Sequence, residues 1–209
     1  MTARFGRDIP TFGDRRQGRI GLLGGSFNPA HEGHRHLSRA ALKALNLGAV
    51  WWLVSPQNPL KSTADMAPLA KRLAGARKMA ADPRIVVTDL ERRLGTARTA
   101  RTLAALTDRF PRLRFVWLMG ADNLAQMPHW WRWTRIFKAV RVAVFDRSPY
   151  SYGALAGAAA KRFGRARVRR AATLWHRAAP AWTYIAMRRH PASATAIRQA
   201  QQHYGDDHP

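Results

Sequence analysis

The sequence contains no cysteine. That excludes a disulfide framework and any thiolate-held metal. Acids are scarce, with 12 Asp and Glu against 36 Lys and Arg, so the net charge is +24. A surplus of that size points to anionic partners, either polyanionic small substrates or nucleic acid. Arginine supplies 30 of the 36 basic residues. Codon preference accounts for arginine over lysine but not for the shortage of acids. No apolar run approaches transmembrane length. The first 18 residues are polar and arginine-bearing and lack the apolar stretch of a secretory signal. The expectation is a cytoplasmic protein with a flexible basic extension over residues 1–18.

What is present argues for one folded domain. The chain has 209 residues, 46% of them hydrophobic, and eight tryptophans. That is enough apolar surface for one α/β core and too much for disorder. The domain is expected over residues 19–203, with a frayed end at 204–209. No internal repeat is visible.

Apolar runs and helical patterns alternate. Strands are expected at residues 20–23, 50–54, 84–88, 114–119, 141–145 and 183–187. Helices are expected at 34–45, 68–80, 99–110 and 152–170, and again from Ser193. Residues 91–98 read as a polar loop. On the helix at 68–80, Leu69, Leu73, Ala76 and Ala80 form the buried face, with Arg72 and Arg77 elsewhere on its surface. This alternation implies parallel strands with right-handed crossovers. The expected fold is a Rossmann-like, doubly wound, mostly parallel sheet of about six strands, with helices on both faces.

The most informative stretch is Gly24-Gly25-Ser26-Phe27-Asn28-Pro29-Ala30-His31-Glu32-Gly33-His34. It joins the first strand to the first helix. Two glycines permit a close backbone approach to a ligand or a positive φ. His31 and His34, three apart at a helix start, can face one point. A helix start carries unpaired N–H groups and suits phosphate. Two imidazoles there add donors where charge develops during phosphoryl transfer. The stretch is neither a Walker A loop nor a dinucleotide fingerprint, since the required spacings are missing. A metal site using His31, His34 and His36 is the competing reading, but no paired acid completes it.

Other candidates follow strand ends, where ligands sit in open α/β sheets. Lys61 lies in a proline-rich loop after the second strand, as a phosphate ligand or a solvated lysine. Asp122 follows the fourth strand, placed to accept from a ribose or to cap a helix. Trp130, Trp131 and Trp133 cannot share one helical face, so some serve the core and at least one can stack on a flat ring. Arg147 follows the fifth strand. Ser193, Thr195 and Arg198 open the last helix, a second helix start suited to phosphate. The arginine-rich run at 165–170 reads as a solvated face rather than an RNA contact.

The stretch at 24–34 resembles the G-G-[ST]-F-[DN]-P-x-H-x-G-H signature of the HxGH nucleotidyltransferase superfamily. The whole layout resembles the bacterial nicotinate-nucleotide adenylyltransferases. The markers are that signature, the Pro56–Lys61 loop, Gly120-Ala121-Asp122-Asn123-Leu124, Pro128-His129-Trp130, Arg147, and the stretch from Ser193 to Arg198. Departures exist: Arg98 precedes Thr99 where those enzymes usually carry Tyr, Ala194 replaces a common Ser, and Lys61 replaces a common His.

The resemblance implies transfer of AMP from ATP to nicotinate mononucleotide, yielding deamido-NAD and pyrophosphate. It implies ATP contacts at Gly24, Gly25, Ser26, Phe27, Gly33, Arg147, Ser193 and Thr195. His31 and His34 would meet the ATP phosphates, and Lys61 and Arg198 would hold the triphosphate. Thr99, Ala100, Asp122, Trp130 and Trp131 would bind the nicotinate nucleotide. Magnesium would be held mainly by substrate phosphates, as is usual where carboxylates are few. Two alternatives are another adenylyltransferase of the superfamily, such as the pantetheine-phosphate enzyme, and a non-catalytic RNA-binding protein.

Overall fold

A computed structural model describes residues 9–56, 66–146 and 151–188. Seven parallel strands form one sheet in the order β3-β2-β1-β4-β5-β7-β6. They are β1 (Gly18–Gly25), β2 (Ala49–Val54), β3 (Ile85–Thr88), β4 (Leu113–Gly120), β5 (Arg141–Phe145), β6 (Arg167–Val168) and β7 (Trp182–Ile185). The helices are α1 (Glu32–Ala44), α2 (Leu69–Ala80), α3 (Leu90–Arg93), α4 (Thr99–Arg109), α5 (Ala121–Gln126), α6 (Trp133–Ala139), α7 (Ser151–Ala156) and α8 (Ala158–Arg162). Among the described residues, no helix is long and apolar enough to cross a membrane.

The doubly wound architecture follows from residues buried on both sides of the sheet. All six residues of β2 are buried. Successive side chains alternate faces, so Trp51 belongs to the apolar cluster that includes α4, α5, α6 and α8 residues, and Trp52 to the cluster that includes those of α1 and α2. The strand order reverses at β1, which pairs with β2 on one side and β4 on the other. The loops leaving β1 and β4 therefore diverge at the sheet's carboxyl edge, where such folds bind ligands.

Several expectations need correction. The sheet has seven strands rather than about six, because the two-residue β6 pairs with β7. The expected helix at 152–170 is instead α7, α8, a 3-10 turn at Gly164–Ala166, and β6. Gly157, at the start of α8, is non-helical, with ψ 170. The expected polar loop at 91–98 begins inside helix α3, and Glu91 is buried. Arg72 is not on the surface of α2 but buried. The chain is anchored from Ile9 onward. Ile9 lies in the core, its carbonyl accepts from Arg93 at 2.9 Å, and that of Thr11 accepts from Arg109 at 2.8 Å.

Glycine at position 24 serves packing. A Cβ there would sit 2.4 Å from the indole of Trp117 on β4, whereas a Cβ at Gly25 meets only ordinary contacts, the nearest 3.5 Å away on Phe27. Of the two glycines, Gly25 is the one left open to a ligand. Gly75, on the exposed side of α2, has nothing within 4 Å.

Glu91 ties two layers together. Its carboxyl accepts from Thr102 Oγ1 of α4 at 3.0 Å and from Ser55 at the end of β2. Burial pushes it up to about 7 from an ordinary value of 4.5, against those two hydrogen bonds. The folded state thus holds this proton where the unfolded chain has lost it. Its contribution to stability is greatest below the unfolded value and declines as pH rises through the folded one.

Gly24→Ala should lower stability by about 1–3 kcal/mol through overpacking, and Gly75→Ala should raise it by about 0.5–1 kcal/mol; denaturant unfolding at one pH checks both. Glu91→Gln keeps the shape without the charge. Relative to the native chain, its stability should improve progressively between pH 4.5 and pH 7, by up to about 3 kcal/mol. Unfolding curves for both proteins across that range measure it.

Candidate active site

The site is built on the first turn of α1. His31 is its N-cap, in extended conformation, and is 5% exposed. Its Nδ1 accepts from Gly33 N–H at 3.1 Å, and the Nδ1 of His34 accepts from His31 N–H at 3.2 Å. This is a capping box in which two histidines stand in for the usual Ser/Thr and Glu. The three-residue spacing of the pair is the spacing such a box requires. It also sets the tautomers. An Nδ1 that accepts a hydrogen bond carries no proton, so in each ring the proton sits on Nε2. Each imidazole then carries its proton on Nε2, and their ring centres lie 3.9 Å apart.

The ring of His34 is oriented by its surroundings. Phe27 packs against it at 4.7 Å and against Trp52 at 5.0 Å. Ser38 donates to the His34 carbonyl at 2.8 Å and accepts from Trp52 Nε1 at 2.8 Å. Phe27 adopts φ +48, a left-handed conformation that is strained for a bulky residue. The residue as a whole is 2% exposed. The N–H of Gly33 is engaged by His31.

Arg72 ties the loops beside the site, and the sequence reading missed it. Its guanidinium donates to four backbone carbonyls: Ala67 at 2.9 Å, Ser26 at 2.7 Å, Ser55 at 2.8 Å and Pro56 at 3.0 Å. The exits of β1 and β2 are thereby fixed to the approach to α2. Burial pulls the guanidinium down from its ordinary value. The signal was in the sequence. Positions 69, 72, 73, 76 and 80 form one helical stripe, which places Arg72 on the buried face.

The second half of the site comes from α4, α5 and the tryptophan segment. Asp122 lies in the first turn of α5, directly after β4, and is half-buried. Thr99 and Ala100 are the first residues of α4, whose leading N–H groups have no intrahelical partner. Arg98, at the N-cap of that helix, lies 5.4 Å from the ring of Trp131, so the start of α4 and the tryptophan segment are brought together. Trp130, Trp131 and Trp133 are half-buried against one core. Trp133 meets Phe137 and Phe163 edge-on, a packing role.

Lys61, Arg147, Ser193, Thr195 and Arg198 lie outside the described residues. Arg188 is the last described residue, and its carbonyl accepts from Nε2 of His36 on α1 at 2.7 Å. His36 therefore has a backbone partner. Among the described residues, no group of three or more His, Asp or Glu side chains is arranged to hold a metal.

Comparison with known proteins gives the same result from another direction. The cytidylyltransferase-like family model matches residues 22–200. A curated relative from Parvibaculum lavamentivorans, named "Probable nicotinate-nucleotide adenylyltransferase", is 55% identical over 183 residues, covering 87% of this chain and 91% of its own. A relative of the same name from Gluconobacter oxydans is 51% identical over 186 residues, covering 88% and 95%. Among solved structures, the nicotinic acid mononucleotide adenylyltransferase of Plasmodium falciparum, in complex with NaAD, shares the fold. Its TM-score is 0.65 at 14% identity, covering 87% of this chain and 82% of that one. The chain belongs to the cytidylyltransferase-like family and, within it, to the nicotinate-nucleotide adenylyltransferases.

Proposed function

We propose that the chain transfers AMP from ATP to nicotinate mononucleotide, as the names of its relatives indicate. An oxygen of the mononucleotide phosphate attacks the α-phosphorus of ATP. The bond from that phosphorus to the bridging oxygen breaks, and pyrophosphate leaves with the electron pair. The nucleophile is largely dianionic at neutral pH, since a second phosphate pKa is about 6. No general base is needed. Catalysis then rests on alignment of two anions and on donors aimed at the developing charge.

The observation that carries this reading is the histidine capping box. It puts two imidazoles, each protonated on Nε2, at a helix N-terminus beside the strand-order reversal, next to a loop that Arg72 ties at the Ser26 carbonyl. In this reading His31 and His34 bind the ATP phosphates, with His34 nearest the reacting phosphorus. The backbone around Gly24, Gly25 and Ser26 lies along the nucleotide. Asp122 accepts from ribose hydroxyls. Trp130 stacks on the cationic pyridine ring. Thr99 Oγ1 and the N–H groups of Ala100 and Trp131 meet the carboxylate. Lys61 and Arg198 hold the triphosphate, with Arg147, Ser193 and Thr195 along the nucleotide. The bond from His36 to the Arg188 carbonyl supports this, because it starts the final segment beside α1.

The family implies a divalent ion, and we assign magnesium. The donors of the described site are imidazoles, hydroxyls and N–H groups with the single carboxylate of Asp122, which suits an ion carried on the ATP phosphates. When bound there it supplies charge neutralisation. The reaction is assigned to the cytoplasm.

Pyrophosphate release from ATP should require nicotinate mononucleotide, with weaker use of the nicotinamide nucleotide and none of phosphopantetheine. Activity with phosphopantetheine alone would refute the assignment. His34→Ala should reduce kcat by at least about 100-fold, the scale for losing one transition-state donor. Steady-state assay of the folded variant tests this.

A further inference from the structure

Trp131 is ringed by charge. The guanidinium carbons of Arg98, Arg101 and Arg132 lie 5.4, 5.1 and 4.6 Å from its ring centre. All three side chains are exposed. Arg98 is the N-cap of α4 and Arg101 lies in its first turn, and Arg132 adopts the left-handed conformation, φ +49, just before α6. The ion pairs among the described residues use Asp14, Glu32, Asp82 and Asp89, and none involves these three arginines. Three like charges around one ring repel one another, and the negative face of the indole offsets only part of that. The α4 N-terminus beneath them adds a further partial positive charge. A carboxylate entering here gains from every one of these charges. A carboxamide of the same shape gains from none.

We propose that Arg98, Arg101 and Arg132 set the selectivity of the site for the acid over the amide nucleotide, by charge. The proposal rests on the nicotinate-nucleotide reading above. Thr99 and the N–H groups at the start of α4 and at Trp131 can hydrogen-bond either an acid or an amide oxygen. Those donors position the pyridine substituent, and the arginine ring discriminates its charge. Exposed charges of this kind are screened by salt, so the discrimination depends on ionic strength.

The test is the ratio of kcat/KM for nicotinate mononucleotide to that for nicotinamide mononucleotide, measured on the full chain at saturating ATP. In R98Q/R101Q/R132Q the ratio should fall about tenfold or more, through the acid nucleotide, with the KM for ATP unchanged. R98K/R101K/R132K, which keeps the charge but loses the planar fork, should retain most of the ratio. Raising salt from about 0.05 M to about 0.5 M should compress the native ratio and leave that of the Gln variant flat. If the triple Gln variant fails to fold, the three single variants carry the test, each expected to lower the ratio. A ratio that stays within about twofold in the Gln variants, or falls as far in the Lys variant, overturns the proposal. A native chain inactive with both pyridine nucleotides overturns the proposed function itself, and the selectivity proposal with it.

Discussion

The guanidinium of Arg72 makes four hydrogen bonds, all to main-chain carbonyls, in a position closed to solvent. Arginine alone offers five donors in a rigid planar fork, so no other side chain could bind the exits of β1 and β2 and the entry to α2 at once. The arrangement has a cost. A cation with no carboxylate partner among the described residues is desolvated, and its proton affinity falls as a result. In return, the loop that leads to the histidines is tied at Ser26, five residues before the cap of α1. A lysine there would be a point charge unable to span those carbonyls.

On that platform, the same atoms serve architecture and chemistry. The two Nδ1 atoms of His31 and His34 close the end of a helix, and this use leaves the protons on the opposite nitrogens. A serine and a glutamate would close the helix equally well. They would not put a pair of ring N–H groups at its first turn. Phe27 and Ser38 then limit how the second ring can turn. The orientation of the second imidazole thus comes from the packing behind it as much as from its own hydrogen bond.

Much of this was legible in the residues, for identifiable reasons. Strands buried on both faces leave unbroken apolar runs, so β2, β4 and β5 were placed to within a residue at either end. The signature at 24–34 announced the site because its glycines, proline and histidines are tied to positions in a turn. What escaped was polar burial. Arg72, Glu91 and Ser38 look like surface residues until a partner from a distant segment is known, as with Glu91 and Thr102. The short helix α3 and the two-residue β6 escaped because each is defined by tertiary contact rather than by any local period. Gly24 reads in the sequence as a place for a ligand to approach the backbone, whereas the group against which its missing side chain makes room is the indole of Trp117.

Helix α1 is fastened at both ends by residues from the far end of the chain. His36, near its start, donates to the carbonyl of Arg188, and the carbonyl of Leu45, at its finish, accepts from the indole of Trp175 at 2.8 Å. These links span 152 and 130 residues. During synthesis the helix emerges among the first elements, yet its two fasteners are made near the end. The imidazoles therefore sit on a helix whose two long-range fasteners cannot form until residues 175 and 188 have been made.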